Sequence, residues 1–329
     1  MKKIKQPGLF ALLCLATVFT LTASAQDESI VLDPDTGNYI IIFRSTFPTR
    51  ELHRVVFVPA TKIDPSVKSK FKQTGEQNIS YEYKVKNGPN SKQPLIGLDL
   101  IVSKAVRASQ VAPKGWFASM GPNNVDARTR VGWTYEGLKE DASAGLHPGT
   151  TQSGFSVDSP DLPGVDVVRL NGASPVFGVP DEGPGMDSEV GKQLNRLTAN
   201  DFVLRNAAVP RIPNPTPFNA VVVLGGIQKH VKDDMASMQL IDPSLLGLID
   251  RGLTQAIAAA QIGNTSSLLN EIKNLRKLLK QEHADVDQDN DSDDDDKEKQ
   301  PKPRIAKLAA KVLDFDLKYV EKRVKGDKD

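Results

Sequence analysis

The sequence predicts a two-domain protein, β then α: an antiparallel β-sandwich over 26–172, then a small antiparallel helical bundle over 218–329. Two contrasts carry that expectation. From Ser29 to about Leu170, short runs alternate apolar and polar residues, the period of a strand with one face in a core. From Phe218 onward the apolar period lengthens to that of an amphipathic helix. Between them, 173–217 is marked by Pro175, Pro180, Pro184, Pro210, Pro213, Pro215 and Pro217, and reads as an extended proline-rich connector.

Taken in order, residues 1–25 read as a secretory signal. Lys2, Lys3 and Lys5 precede the apolar stretch Leu9 to Leu21, and Ala23-Ser24-Ala25 supplies the small residues a signal peptidase requires. That stretch falls short of the about 20 apolar residues a membrane span needs. The expectation is export, to the periplasm or the extracellular space, with cleavage after Ala25. The single cysteine, Cys14, lies inside this leader, so the mature chain has no disulfide to rely on. Removing the three leader lysines from the formal charge of +1 leaves −2, which argues against a nucleic-acid partner. No later apolar run has the length of a membrane span.

Among the strands, Asn38 to Phe43 is a short apolar run and Leu52 to Val58 is rich in β-branched residues. The clearest alternation is Ile79, Tyr81, Tyr83 and Val85, with Ile96, Leu98, Leu100 and Val102 as the expected return strand beyond Asn87-Gly88. Val131, Trp133 and Tyr135 alternate further on, as do Phe155 and Val157. Gly and Pro turn signals separate these pieces, as in a sandwich. Within the connector, a short helix is expected near Ser188 to Leu197, and Phe202 and Val203 mark one further strand.

The helical half begins with the weakly amphipathic Val222, Leu224, Ile227 and Val231. Asp242-Pro243 is a helix start, an N-cap carboxylate followed by proline at the first position. Gly263 closes that helix as a C′ residue, and Asn264 or Thr265 opens the next. Leu268, Ile272, Leu275 and Leu279 line the second helix; Ile305, Leu308, Val312, Phe315 and Tyr319 line the last. None of these stripes is covered within its own helix, so they are expected to cover one another.

Two resemblances follow from these residues. Leu253-Thr-Gln-Ala-Ile-Ala-Ala-Ala-Gln, Gly263-Asn264-Thr265, Leu268-Leu-Asn-Glu-Ile-Lys-Asn-Leu and Ile305-Ala-Lys-Leu-Ala-Ala-Lys-Val-Leu together resemble the helical FIMAH domain of secreted bacterial proteins. That likeness covers about a quarter of the chain and implies a non-catalytic extracellular module. It departs from the family between the last two helices, where an acidic insert, 285–298, replaces a short turn. The first half, with Tyr81-Glu-Tyr-Lys-Val, Pro113-Lys-Gly-Trp116, Trp133 and Gly154-Phe-Ser-Val-Asp-Ser-Pro, is similar to uncharacterised Ig-like β-sandwiches of secreted bacterial proteins.

The acidic insert is the candidate ion site. Calcium takes six to eight oxygen ligands, and Asp285, Asp287, Asp289, Asp291, Asp293 and Asp296 fall at the spacing of a calcium loop. A second register, from Asp287 to Glu298, fits as well, which points to composition more than design. Eight aspartates in twelve residues repel one another, so a solvated, unstructured loop is the competing reading and the favoured one. Trp116 and Trp133 are core or edge-cover aromatics in the simpler reading, and ligand-facing aromatics in the sharper one. Asp158, Asp161 and Asp166 read as solvated loop and strand-edge residues. His53, His147, His230 and His283 each stand alone in their segments, and the sequence has no His-Glu-x-x-His, Gly-x-Ser-x-Gly or phosphate-binding Gly-rich loop.

The expected function is therefore a non-enzymatic structural or binding module at the bacterial cell exterior. It would need no cofactor, with calcium the one candidate ion, and its partner would be an extracellular protein or glycan. The alternative is a secreted hydrolase or carbohydrate-binding protein that uses the sandwich face.

Overall fold

The computed structural model describes residues 28–45, 51–103, 111–123, 128–136, 144–173, 183–283 and 303–326. Its strands in chain order are β1 (Ser29–Leu32), β2 (Tyr39–Arg44), β3 (Leu52–Phe57), β4 (Pro65–Gly75), β5 (Asn78–Asn87), β6 (Leu95–Val102), β7 (Trp116–Pro122), β8 (Thr129–Tyr135), β9 (Thr151–Ser159), β10 (Leu162–Gly172) and β11 (Val203–Ile212). The helices are α1 (Glu189–Thr198), α2 (Ala220–His230), α3 (Pro243–Gln261), α4 (Thr265–Glu282) and α5 (Lys307–Lys325).

All strand pairs are antiparallel and fall into three sheets, ordered β1-β2-β3, β4-β5-β9 and β11-β10-β6-β8-β7. The alternation read in β5 is real: Ile79, Tyr81, Tyr83 and Val85 are buried, while Glu82, Lys84 and Lys86 face solvent. The expected hairpin to β6 is not formed. Both hydrogen-bonding edges of β5 are taken, by β4 and by β9, so β6 pairs in the other sheet with β8 and β10. The crossing between them is held by the Asn87 amide, which donates to the carbonyls of Gln93 (3.0 Å) and Leu146 (2.9 Å).

Side chains from β4-β5-β9 and from the five-stranded sheet share one buried layer. The phenol of Tyr81 donates to the Asp161 carbonyl at 2.7 Å, and that of Tyr83 donates to Ala208 at 2.9 Å. Burial without a nearby charge to favour the phenolate pushes both tyrosines well above the usual phenol range. Trp133 (0% exposed) and Trp116 (6%) meet Phe155 edge-on, with ring centroids at 5.8 and 4.9 Å. The Trp133 indole N–H finds the Val111 carbonyl at 3.1 Å, which satisfies its one polar atom. Neither ring turns a face to solvent, so core packing replaces the ligand-facing reading of these two tryptophans.

The β1-β2-β3 sheet has its own small core, in which Ile41, Phe43 and Phe57 pack against Val190 of α1. Ser188 caps α1, its hydroxyl accepting from the Gly191 N–H at 2.9 Å. The stretch 173–217 therefore carries more than an extended connector: α1 and a ten-residue strand, β11, lie inside it. β11 pairs with β10 from Leu162↔Ile212 to Leu170↔Val203. It tolerates Pro210 because it is the edge of its sheet, where one side of the ladder needs no donor.

The helices follow their caps. Asp242 accepts from the Ser244 N–H at 2.9 Å with Pro243 at the first position, and Asn264 accepts from Ser267 at 3.0 Å. Gly263, at φ +69°, makes the left-handed step between α3 and α4 that a side chain would strain. Buried residues of α2, α3, α4 and α5 join the same continuous hydrophobic cluster as the interior of the two larger sheets. The helices thus bury their stripes against one another and against the β10–β11 side of the five-stranded sheet. Among the described residues, no helix is long and apolar enough to cross a membrane.

Candidate functional site

A connected network of polar side chains lies where α2 meets β10 and β11. Asn219 caps α2, and the last turn of that helix buries His230 at 4% exposure. The chain then widens into one π-helical turn, Val231–Met235, which brings Asp234 beneath the imidazole. His230 Nδ1 stands 2.7 Å from Asp234 Oδ2, and Nε2 accepts from the Val165 N–H of β10 at 3.0 Å. With Nε2 accepting, the ring proton sits on Nδ1 and is donated to the carboxylate.

Asp234 also accepts from Arg211 Nη2 (3.0 Å) and Nε (3.3 Å) on β11. Arg211 in turn lies 3.6 Å from Asp166 Oδ2 on β10, which takes a second arginine, Arg128, at 2.9 Å. The His230 hydrogen bond, helped by Arg211, holds the Asp234 carboxyl down to about 2 against the opposing effect of burial. The backbone has to come close for this to work. A Cβ at Gly164 would lie 2.9 Å from His230 Nε2 and 2.5 Å from Arg211 Cβ, so glycine leaves the imidazole its place.

Beside this network lies a cleft of about 450 Å³. Ile212, Pro213 and Val222 form an apolar floor, and Arg211, Lys229 and Asp234 a charged rim. A histidine paired with a carboxylate is a common acid–base device, but it needs its second nitrogen directed at a reacting group. Here that nitrogen is occupied by the sheet backbone. Chemically the network is a bolt between a helix and a sheet.

The three aspartates read together in sequence are separated by the fold. Asp158 lies on the outer face of β9, opposite Ser80. Asp166 belongs to the arginine network. Asp161 is buried at the start of β10, where it accepts from the Ser103 hydroxyl and from Asn214 N–H (3.4 Å), and burial raises its pKa. A further buried acid, Asp316, lies within the inward stripe of α5 at 0% exposure, with neither oxygen hydrogen-bonded. Burial raises its carboxyl well above the ordinary range.

The six candidate calcium ligands, Asp285 to Asp296, lie outside the described residues. Among the described residues, no three His, Cys, Asp or Glu side chains converge in a way that could hold a metal. Of the networked residues, His230 and Asp234 were within reach of the sequence, since an i, i+4 spacing puts them on one helical face. Arg211 and the Val165 N–H were not, because strand pairing and helix docking bring them in from distant segments.

No protein-family model and no curated protein matches the chain. The FIMAH resemblance therefore rests on the apolar spacing alone. Among solved structures, the chain is similar to the unique CBM3 of Hungateiclostridium clariflavum at 16% identity, covering 30% of this chain and 72% of that one, with a TM-score of 0.23. It is also similar to an uncharacterized protein from Nocardia farcinica with an immunoglobulin-like fold, at 14% identity, covering 32% and 75%, with a TM-score of 0.23. Likenesses this distant carry no argument about function. The fold itself stands on its antiparallel sheets and five helices.

Proposed function

We propose that the chain is an exported, non-enzymatic binding or structural module of the cell exterior, an Ig-like β-sandwich with a helical bundle fastened to one of its sheets. The observation that carries this reading is the use made of His230. Its two ring nitrogens are spent on Asp234 and on the Val165 N–H, so the histidine–carboxylate pair joins layers and has no nitrogen directed at a substrate. A protein that fastens helices to a sheet in this way presents fixed surfaces, and fixed surfaces suit recognition.

The competing reading, a secreted hydrolase or carbohydrate-binding protein using the sandwich face, loses its aromatic platform because Trp116 and Trp133 are interior. Hydrolase assays on polysaccharide and ester panels separate the two. The proposal expects no turnover above buffer with the full chain. Turnover abolished by a single serine or acidic substitution, in a variant that keeps its melting temperature, overturns it.

A further inference from the structure

The outer face of the five-stranded sheet carries a polar strip with glycine beneath it. Leu98, Leu100, Val131, Trp133 and Leu170 point into the core, so the residues that alternate with them share the opposite face. One row across the strands reads Arg169, Asp99, Gly132 and Ser119. The next reads Asn171, Gly97, Thr134 and Phe117. From β10 to β7 each row crosses three strand spacings, roughly 14 Å.

The glycines set the depth of the strip. A Cβ at Gly132 would collide with Asp99 Oδ1, and one at Gly97 would lie 3.3 Å from Asn171 Oδ1, so both polar side chains lie low where a side chain is missing. Asp99 Oδ1 accepts from Arg130 Nε at 3.1 Å, and Asn171 Nδ2 donates to the Asp201 carbonyl at 3.0 Å. The Arg169 guanidinium, across the ladder from Asp99, is stacked over Phe202 at 4.8 Å from the ring centroid.

These contacts orient the polar groups without using up their hydrogen-bonding capacity. Among the described residues, Asp99 Oδ2, Asn171 Oδ1, the Ser119 and Thr134 hydroxyls and the Arg169 guanidinium have no hydrogen-bond partner. At the β7 end stands Phe117, its side chain outside the core and 57% exposed.

We propose that this strip binds a neutral oligosaccharide, its hydroxyls exchanging hydrogen bonds with Asp99, Asn171 and Arg169 while the apolar face of one sugar ring packs on Phe117. The proposal rests on the exported, binding reading above and names its partner class. The ring it uses is Phe117, not either tryptophan. Closely spaced sugar hydroxyls both donate and accept, and the strip sets carboxylate and amide acceptors beside guanidinium donors.

The placement of charge argues against other occupants. Asp99 puts a carboxylate at the centre of the strip, where it repels the phosphates or sulfates of a polyanion, and its ion pair with Arg130 engages one of the two arginines. Protein interfaces hold aromatic anchors at a dry centre with charge depleted there; here the charges are central and the exposed ring is at one end. A lipid surface takes several apolar side chains, and these two rows hold one.

The test titrates the full chain by calorimetry with soluble neutral oligosaccharides of glucose, mannose, xylose, galactose and N-acetylglucosamine. Dextran sulfate, single-stranded DNA and phosphatidylserine vesicles run alongside. The proposal expects binding to at least one neutral oligosaccharide, little changed between low and high salt because no net charge is screened. Phe117→Ala should weaken that binding at least tenfold and leave the melting temperature unchanged, since the ring is exposed. Phe117→Tyr should retain it, and Arg169→Gln should weaken it.

Failure to bind any of the five neutral oligosaccharides overturns the proposal, as does unchanged affinity in Phe117→Ala. Tighter, salt-sensitive binding to dextran sulfate, DNA or vesicles overturns it too. Release of new reducing ends from a bound oligosaccharide would instead overturn the non-enzymatic reading and leave the binding strip standing. The two failures are thereby distinguishable.

Discussion

Asp316→Leu should make this protein more stable. The carboxyl is fully buried on the inward stripe of α5, among Val312, Leu313, Leu317 and Val320, and both its oxygens lack a hydrogen-bond partner. A buried polar group left without a partner costs about 1–3 kcal/mol, and leucine matches the branching of aspartate while removing that penalty. A gain of about 2 kcal/mol is expected near pH 4, a shift of about 4–8 °C in Tm for a protein of this size.

The gain should then grow with pH, and the sign follows from linkage. Burial raises the folded carboxyl above its ordinary value, so between those two values the native state holds a proton that the unfolded chain has released. Wild-type stability attributable to this group therefore falls as pH rises through that window, by about 1.4 kcal/mol per unit. Leucine does not titrate, so its advantage is larger at pH 7 than at pH 4. Asp316→Asn keeps the polarity, loses the pH dependence and should fall between the two. Urea denaturation of the three proteins at both pH values measures this. A leucine variant less stable than wild type at pH 7, or an advantage that does not change with pH, refutes the reasoning.

Other expectations follow from the same geometry. His230→Ala leaves the Val165 N–H and part of Asp234 unpaired, and should cost about 2–4 kcal/mol by chemical denaturation. Because the folded Asp234 carboxyl is depressed to about 2, its contribution is present above the unfolded value near 4 and is lost as pH falls toward 2. Asp234→Asn should flatten that part of the acid-denaturation curve. Trp133→Ala should cost about 3–5 kcal/mol and abolish cooperative unfolding at physiological temperature, as seen in thermal melts. Deleting 285–298 should leave Tm within about 2 °C. Arg304 pairs with Glu282 (Nε to Oε2, 2.9 Å), so the end of α4 and the approach to α5 already meet without the insert. Loss of the folded helices in circular dichroism would count against that.

What was legible in the sequence is what depends on near neighbours. The alternation in β5, the Asp242-Pro243 start, the Gly263 stop and the apolar stripe of α4 are local patterns, and each appears in the structure. The stripe of α5 is shifted: Ile305 lies ahead of the helix in a bridge to Ile241, and Leu308 and Phe315 are half-buried while Ala309, Leu313 and Leu317 face inward. Pairing depends on the whole chain. That β5 lies between β4 and β9, leaving β6 to the other sheet, follows from which edges are already satisfied, and no window of sequence records it. The β4 strand is faint in the sequence because its outer positions are lysines and its inner ones include Ser69, so its alternation is weak in hydrophobicity.

The site divides in the same way. His230 and Asp234 lie four residues apart, across the end of α2 and its π-helical turn, whereas their meaning was decided by Val165 and Arg211 arriving from β10 and β11. Tryptophan as a residue type suits either a core or a sugar platform, and only packing against Phe155 assigned Trp116 and Trp133 to the interior. The pairing of Lys68 with Lys84 likewise belongs wholly to tertiary structure, since the two become neighbours only through the β4–β5 register. The sequence by itself determined period, caps and turns because these are short-range energies. Burial, partner choice and the faces offered to solvent were decided by the tertiary fold, because they depend on which distant segments exclude water together.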